Sequence, residues 1–216
     1  MNNKILNITN GEYFNDYFRA NFGGECLPFC EVMMDGETTS EIYSEQFIRL
    51  RAKELDVSAK EYSSKMYVFN ALHNKATDYA KLRLWFGKDT FCQINLLTLL
   101  AYLEQINYCG KIILNYIDDQ TFKVIEENID VSLGNYQKIY EHILIYKHKP
   151  NKLGVLVENA IDLYFDYLSC DGTLARVIKE NYDLDEYSLI CLLLRVSEAY
   201  GLSDVQAKKL ISKYKT

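Results

Sequence analysis

The sequence predicts an α/β protein: a small, mostly parallel, Rossmann-like sheet flanked by helices, with an all-helical C-terminal region. Three observations predict it. Short, nearly continuous apolar runs recur along the first half of the chain, with stretches of helical period between them. Strands that are apolar throughout belong to a sheet covered on both faces, the usual setting of parallel strands. After residue 121 the pattern is helical to the end.

Residues 4–9 (KILNIT) form the first expected strand, closed by the turn pair Asn10-Gly11. Tyr13, Phe14, Tyr17, Phe18 and Phe22 then share one helical face, and Gly23-Gly24 stops that helix. Residues 25–30 are a second apolar run, in which Pro28 marks an edge strand or a strand end. A polar, Gly-containing loop follows over 31–39. From 42 to 77 the pattern is helical, and Ser58 with Glu61 three residues on fits a capping box. Residues 81–86 make the third strand, 90–107 the strongest helix and 110–117 a fourth strand, stopped by Asp118-Asp119. Beyond it, 122–128, 133–146, 153–169, 173–181, 186–200 and 204–214 all read as helices. Residues 147–152 (KHKPNK) are the expected linker, dividing an α/β domain (1–147) from a helical region (148–216).

Composition bounds the function. The chain has 24 Lys or Arg against 30 Asp or Glu, a formal net charge of -6, which argues against nonspecific nucleic-acid or anionic-membrane binding. Neither a membrane span nor a signal-peptide pattern is legible, and the expected location is the cytoplasm. The six cysteines read as reduced thiols there. Cys26 and Cys30 lack the neighbouring His or Cys pair that would complete a zinc set, so no metal site is expected.

The most informative stretch is residues 84–97 (LWFGKDTFCQINLL). An apolar strand ends at Gly87 beside the only tryptophan, and a helix opens on Asp89 with Gln93 one turn later. Open α/β sheets build ligand sites where strands deliver polar groups to helix starts. Parallel strands point their carboxyl ends at one edge. That edge should gather Asn10, Gly11 and Glu12, then Glu31, Asp35 and Gly36, then Trp85, Asp89 and Gln93, then Asp118 and Asp119, with Arg49 and Arg51 leaning over from the next helix. Gly11 at a helix start suits an anion, and Arg51 would compensate its charge. The carboxylates would orient the ligand or hold a cation, and Trp85 would stack on a ring.

These pieces resemble the bacterial domain-of-unknown-function family 1835. The resemblance rests on the turn Ile8-Thr9-Asn10-Gly11-Glu12, the acidic loop of residues 29–36 (FCEVMMDG), the helix of residues 47–52 (FIRLRA) and above all residues 84–97. It covers residues 4–145 and departs from the family at Glu12, where an aspartate is usual. The family brings no established activity and no cofactor, and some members are labelled AraC-type transcriptional regulators.

Each site residue also has an ordinary structural reading. Asp89 would cap its helix, Trp85 fill core, and Arg51 pair with Glu31 or Glu54. Cys92, in the first turn of a helix, is either a nucleophile or a buried thiol, and its apolar neighbours favour the latter. His73, His142 and His148 are scattered, with no H-E-x-x-H spacing, and G-x-S-x-G is absent. Residues 147–216 hold ten basic and ten acidic residues, without the basic recognition helix of a DNA-binding regulator. The expectation is therefore a protein that binds, and either does or does not turn over, a small polar, phosphate-bearing or nucleotide-like ligand at the sheet edge. The alternative is a noncatalytic interaction module or regulator acting through its helical tail. Apolar stripes on the tail also leave a homodimer open.

Overall fold

The computed structural model describes residues 4–215. Five strands, β1 (Lys4–Asn10), β2 (Cys26–Phe29), β3 (Tyr79–Phe86), β4 (Lys111–Ile117) and β5 (Val124–Val131), form one sheet in the order β2-β1-β3-β4-β5. The first four are parallel, and β5 runs antiparallel to β4. The chain moves to one side of β1 to make β2, then crosses to the other side for β3. Right-handed crossovers therefore place α1 (Glu12–Asn21) on one face and the later helices on the opposite face.

On the first face Phe14 and Phe18 of α1 pack with Cys26, Ile117, Trp85 and Phe122. On the second face lie α2 (Glu45–Glu54), α3 (Ala59–Lys65), α4 (Tyr67–Lys75) and the central α5 (Thr90–Gln105). Ser58 caps α3, accepting the Glu61 N–H at 3.1 Å. In α5, 13 of 16 residues are buried, so the helix is apolar all round and its few polar side chains must be paired inside. A broken helix follows, α6 (Tyr136–Tyr140) running into a π-helical turn at Glu141–Ile145. Then come α7 (Glu158–Leu168), α8 (Thr173–Glu180), α9 (Glu186–Val196) and α10 (Asp204–Tyr214), with a 3-10 turn at Glu198–Tyr200. The apolar core is continuous across residue 147, running from Leu6 to Ile211. No helix among the described residues is long and apolar enough to cross a membrane.

One expectation is corrected. Residues 122–128 are not helical but open β5. Asp118 folds the chain back, its Oδ1 accepting from Thr121 N (2.7 Å) and Thr121 Oγ1 (2.6 Å), and Phe122 takes the left-handed conformation. An antiparallel neighbour needs only such a turn, not a crossover. The alternation that marks a strand is missing because β5 is an edge, its Glu126, Glu127 and Asp130 exposed as edge guards. Lys88 and Lys111 bind it from outside through Glu126 and Asp130, each at 3.0 Å.

The loop after β2 is organised around Arg51 of α2, whose side chain is fully buried. Its Nε and Nη2 donate to Glu31 Oε1 (3.1 and 2.9 Å), Nη2 also to Val32 O (2.8 Å), and Nη1 to Asp35 O (2.7 Å) and Glu37 O (3.1 Å). All five guanidinium N–H groups are therefore consumed. Tyr62 donates to the other Glu31 oxygen. Burial works against the Arg51 charge, and the adjoining Glu31 carboxylate more than offsets it, raising the Arg51 pKa. Removing one member of a buried pair strands the other. We expect Arg51→Met to cost about 3–5 kcal/mol in urea unfolding. A loss below about 1 kcal/mol would show that the loop holds its shape without this pair.

Candidate functional site

Because β2 and β3 lie on opposite sides of β1, the chain diverges at the carboxyl ends of β1 and β3, the topological switch point of an open sheet. A cleft of about 670 Å³ lies over this point. One wall is the turn into α1, with Asn10, Gly11, Glu12 and Tyr13. The opposite wall is the start of α5, with Asp89, Phe91 and Cys92. Asp119 and Phe122 enter from the β4–β5 hairpin, and Arg195, Glu198 and Gly201 close it from the C-terminal helices.

Local rules set each group in place. Gly11 is the N-cap of α1 with φ 80°, a conformation that favours glycine, and offers no capping side chain. Asp89 caps α5, its Oδ1 accepting Cys92 N–H at 2.9 Å. Gly87 leaves room for two carboxylates: a Cβ there would lie 2.0 Å from Asp119 Oδ2 and 2.6 Å from Asp89 Oδ2. Gly201 approaches Asp89 from the other side, where a Cβ would meet Asp89 Oδ1 at 2.1 Å. Asn10 Nδ2 donates to Cys92 Sγ (2.9 Å), and Asn10 Oδ1 accepts from Asn95 Nδ2 (3.0 Å). Asn95 also donates to Glu31 O (2.7 Å) and accepts from Met33 N (3.2 Å), so one buried amide pins the exits of β1 and β2 to α5.

The electrostatics of the cleft are unbalanced. Asp89 Oδ2 is buried without a hydrogen-bond partner among the described residues. Asp119 stands beside it, and Cys92 Sγ lies 3.6 Å from Asp119 Oδ2. Acceptor atoms of Asp89, Cys92 and Asp119 all lie within 4.8 Å of one another, a spacing that one metal ion could bridge. Although Asp119 is exposed as a residue, loss of solvent at its carboxyl end and the adjoining Asp89 carboxyl push it up to about 8, so at neutral pH the pair shares a proton between them. Burial, with Asp89 and Asp119 alongside, raises Cys92 well above an ordinary thiol, which keeps it protonated and poorly nucleophilic.

Of the nine residues singled out by sequence, the cleft unites Asn10, Gly11, Glu12 and Asp89. The others are placed elsewhere. Glu31 and Arg51 are fully committed to each other and to their loop. Gly36 stands against Glu54, with φ 76°. Trp85 is half-buried on the α1 face, donating to Asn7 Oδ1 (3.2 Å) and packing on Phe18. Gln93 is buried under the cleft, donating to Gly87 O (2.7 Å) and accepting from Val157 N (2.9 Å), so it fastens the β3–α5 turn to the start of the tail. Asp119 was gathered at this edge by the convergence of strand ends, though not singled out as a ligand residue, and the structure brings it into the cleft. Gly87 and Arg195 were missed; Gly87 carried a local signal, since it follows an apolar strand directly. Arg195 carried none, because only tertiary packing brings α9 to the sheet edge. Compared with protein-family models, curated proteins and solved structures, the chain matches none.

Folding takes up a proton at Asp119, because its pKa rises from 3.8 in the unfolded chain to about 8. The stabilisation from that proton is complete below pH 3.8 and is lost as pH rises through about 8. We therefore expect stability to fall between about pH 5 and pH 9, and Asp119→Asn to flatten the fall, in urea titrations at both pH values. Parallel pH profiles for the two proteins would remove Asp119 as the titrating group.

Proposed function

We propose that the protein binds a small polar ligand in the cleft at the carboxyl edge of the sheet, presenting a cationic group or a bound divalent ion to Asp89 and Asp119. One observation carries this reading: buried Asp89 Oδ2 meets no N–H or hydroxyl donor among the described residues and has only a second carboxyl group, Asp119, to share a proton with, at a topological switch point. A positive charge from the ligand would satisfy both. Tyr13, Phe91 and Phe122 offer aromatic surface for a ring or for the cation itself. Arg195 and the uncapped start of α1 suit an anionic end, so a zwitterionic or nucleotide-like molecule is the best match. The anionic group belongs at Gly11 and Arg195 rather than at Arg51, which has no donor free.

A second reading, that the ligand is turned over, is favoured by the proton on Asp119. A carboxyl protonated at neutral pH next to another carboxylate is the arrangement of an acid and base pair. A role as interaction module or regulator has less to rest on, because Arg195, the basic residue of α9, lines the cleft. The likeness of residues 84–97 to the domain-of-unknown-function family 1835 is part of the same proposal. Its Asp89 and Cys92 are cleft residues, and its Gln93 and Asn95 brace the cleft from below.

Asp89→Asn is the informative variant, since asparagine keeps the helix cap and removes the charge. In a thermal-shift panel of amines, amino acids, nucleotides and divalent metals, we expect at least one cationic or metal-bearing compound to raise Tm. We expect Asp89→Asn and Asp119→Asn each to abolish the rise. A rise that survives both substitutions, or a panel with no rise at all, defeats the proposal.

A further inference from the structure

A second concave surface lies away from the cleft, where the segment 147–152, the expected linker, folds back on α6. Its volume is about 500 Å³. Lys138 and His142 stand one turn apart on the helix, and Lys152 faces them from the returning segment. No aspartate or glutamate lines this groove, although the chain as a whole has a surplus of acid. Glu104, which reaches the start of α6, is occupied with the Gln137 N–H at 2.7 Å. The ring of His148 lies 5.8 Å from that of His142 and adds a further nitrogen-bearing group at the margin.

Neighbouring lysines are already spent. Lys149 is held by Glu158 (3.1 Å) and Asp162 (2.5 Å), and Lys147 donates to Leu144 O (2.8 Å) and Tyr164 Oη (3.2 Å). Among the described residues Lys138 and Lys152 enter no ion pair, and both are exposed. The backbone supplies an independent sign. The helix widens into a π turn at Glu141–Ile145, the turn that carries His142, and Tyr146 N–H reaches back to Glu141 O at 2.9 Å. Such turns are rare, are less well bonded than the α-helix they interrupt, and recur at functional sites.

We propose that this groove binds a multiply charged phosphate, at a site separate from the cleft. Lys138 and Lys152 supply charge from opposite walls, and His142 donates from the widened turn. The observations favour a small molecule over a nucleic acid, because the cationic groups converge on one pocket instead of tracking along a face.

Isothermal titration with inorganic pyrophosphate and tripolyphosphate tests the assignment. Both should bind the wild-type protein, more weakly as salt is raised, and Lys138→Glu/Lys152→Glu should weaken binding at least about tenfold. A control, Lys53→Glu/Lys60→Glu, removes two other exposed lysines and should leave binding unchanged. Asp119→Asn should leave it unchanged too, which separates this site from the cleft. All four lysines are exposed, so an unaltered melting temperature confirms that each variant is folded. Absence of binding, an equal loss in the control, or stronger binding of a DNA oligonucleotide than of tripolyphosphate would overturn the proposal.

Discussion

A guanidinium sealed inside a protein must find an acceptor for every N–H, and Arg51 does so by drawing residues 31–37 around itself. The loop is then fixed from outside. Thr38 Oγ1 donates to Tyr140 Oη (2.5 Å), Tyr140 donates to Thr39 O (3.0 Å), and Tyr167 of α7 donates to Asp35 Oδ1 (2.5 Å). The consequence for function is subtractive. Four strand exits meet at the sheet edge, but the exit of β2 is folded down and held. The open ground above the sheet is left to the exits of β1 and β3 and to the β4–β5 hairpin. Asn95 completes the division by tying Asn10 and Glu31 to α5 from beneath.

Much of this architecture was legible in the chain. Apolar runs and helix signals located β1 to β4 and the helices between them, because parallel strands and their crossover helices bury enough surface to impose their period on the sequence. The edge strand β5 was not legible. Its exposed Glu126 and Glu127 answer to solvent and to an edge that must not pair, not to a core. The candidate site was half legible for a related reason. Convergence of strand ends is a topological fact, and it places Asn10, Gly11, Glu12, Asp89 and Asp119 on the walls of one cleft. Whether a side chain at such an end turns up into the cleft or down into the core depends on partners far away in sequence. The Arg51–Glu31 pair was foreseen from the residues as one of two pairings, but no local pattern announces that Tyr62 joins it, that Trp85 finds Asn7 or that Gln93 finds Val157.

Around Arg51 every guanidinium N–H is answered, as a buried charge requires, and of the loop's buried carboxylate oxygens only Asp35 Oδ2 is left without a partner among the described residues. Over Gly87 two carboxyl groups meet with no N–H donor for Asp89 Oδ2, and Asp119 keeps a proton that an ordinary carboxyl would release. Such an arrangement lowers stability, and it is the ground on which ligand binding is proposed for this cleft. Gly87 makes the point sharply, since any larger residue would separate the two carboxylates.

The tail binds these features together. Residues 147–157 are more than a tether: Val157 N–H bonds to Gln93, and Val155 bonds to Tyr136 through its N–H and to Tyr116 through its carbonyl. The same short segment contributes Lys152 and Gly154 to the basic groove. It is therefore covalently continuous with one concave surface and hydrogen-bonded to the turn beneath the other. In a chain of net charge -6, acid concentrated over the sheet edge and base concentrated at α6 give the molecule two poles of opposite chemistry. The first pole is where the ligand is proposed. At the second, Lys138 and Lys152 enter no ion pair among the described residues, so no salt bridge has to break for a phosphate to reach them.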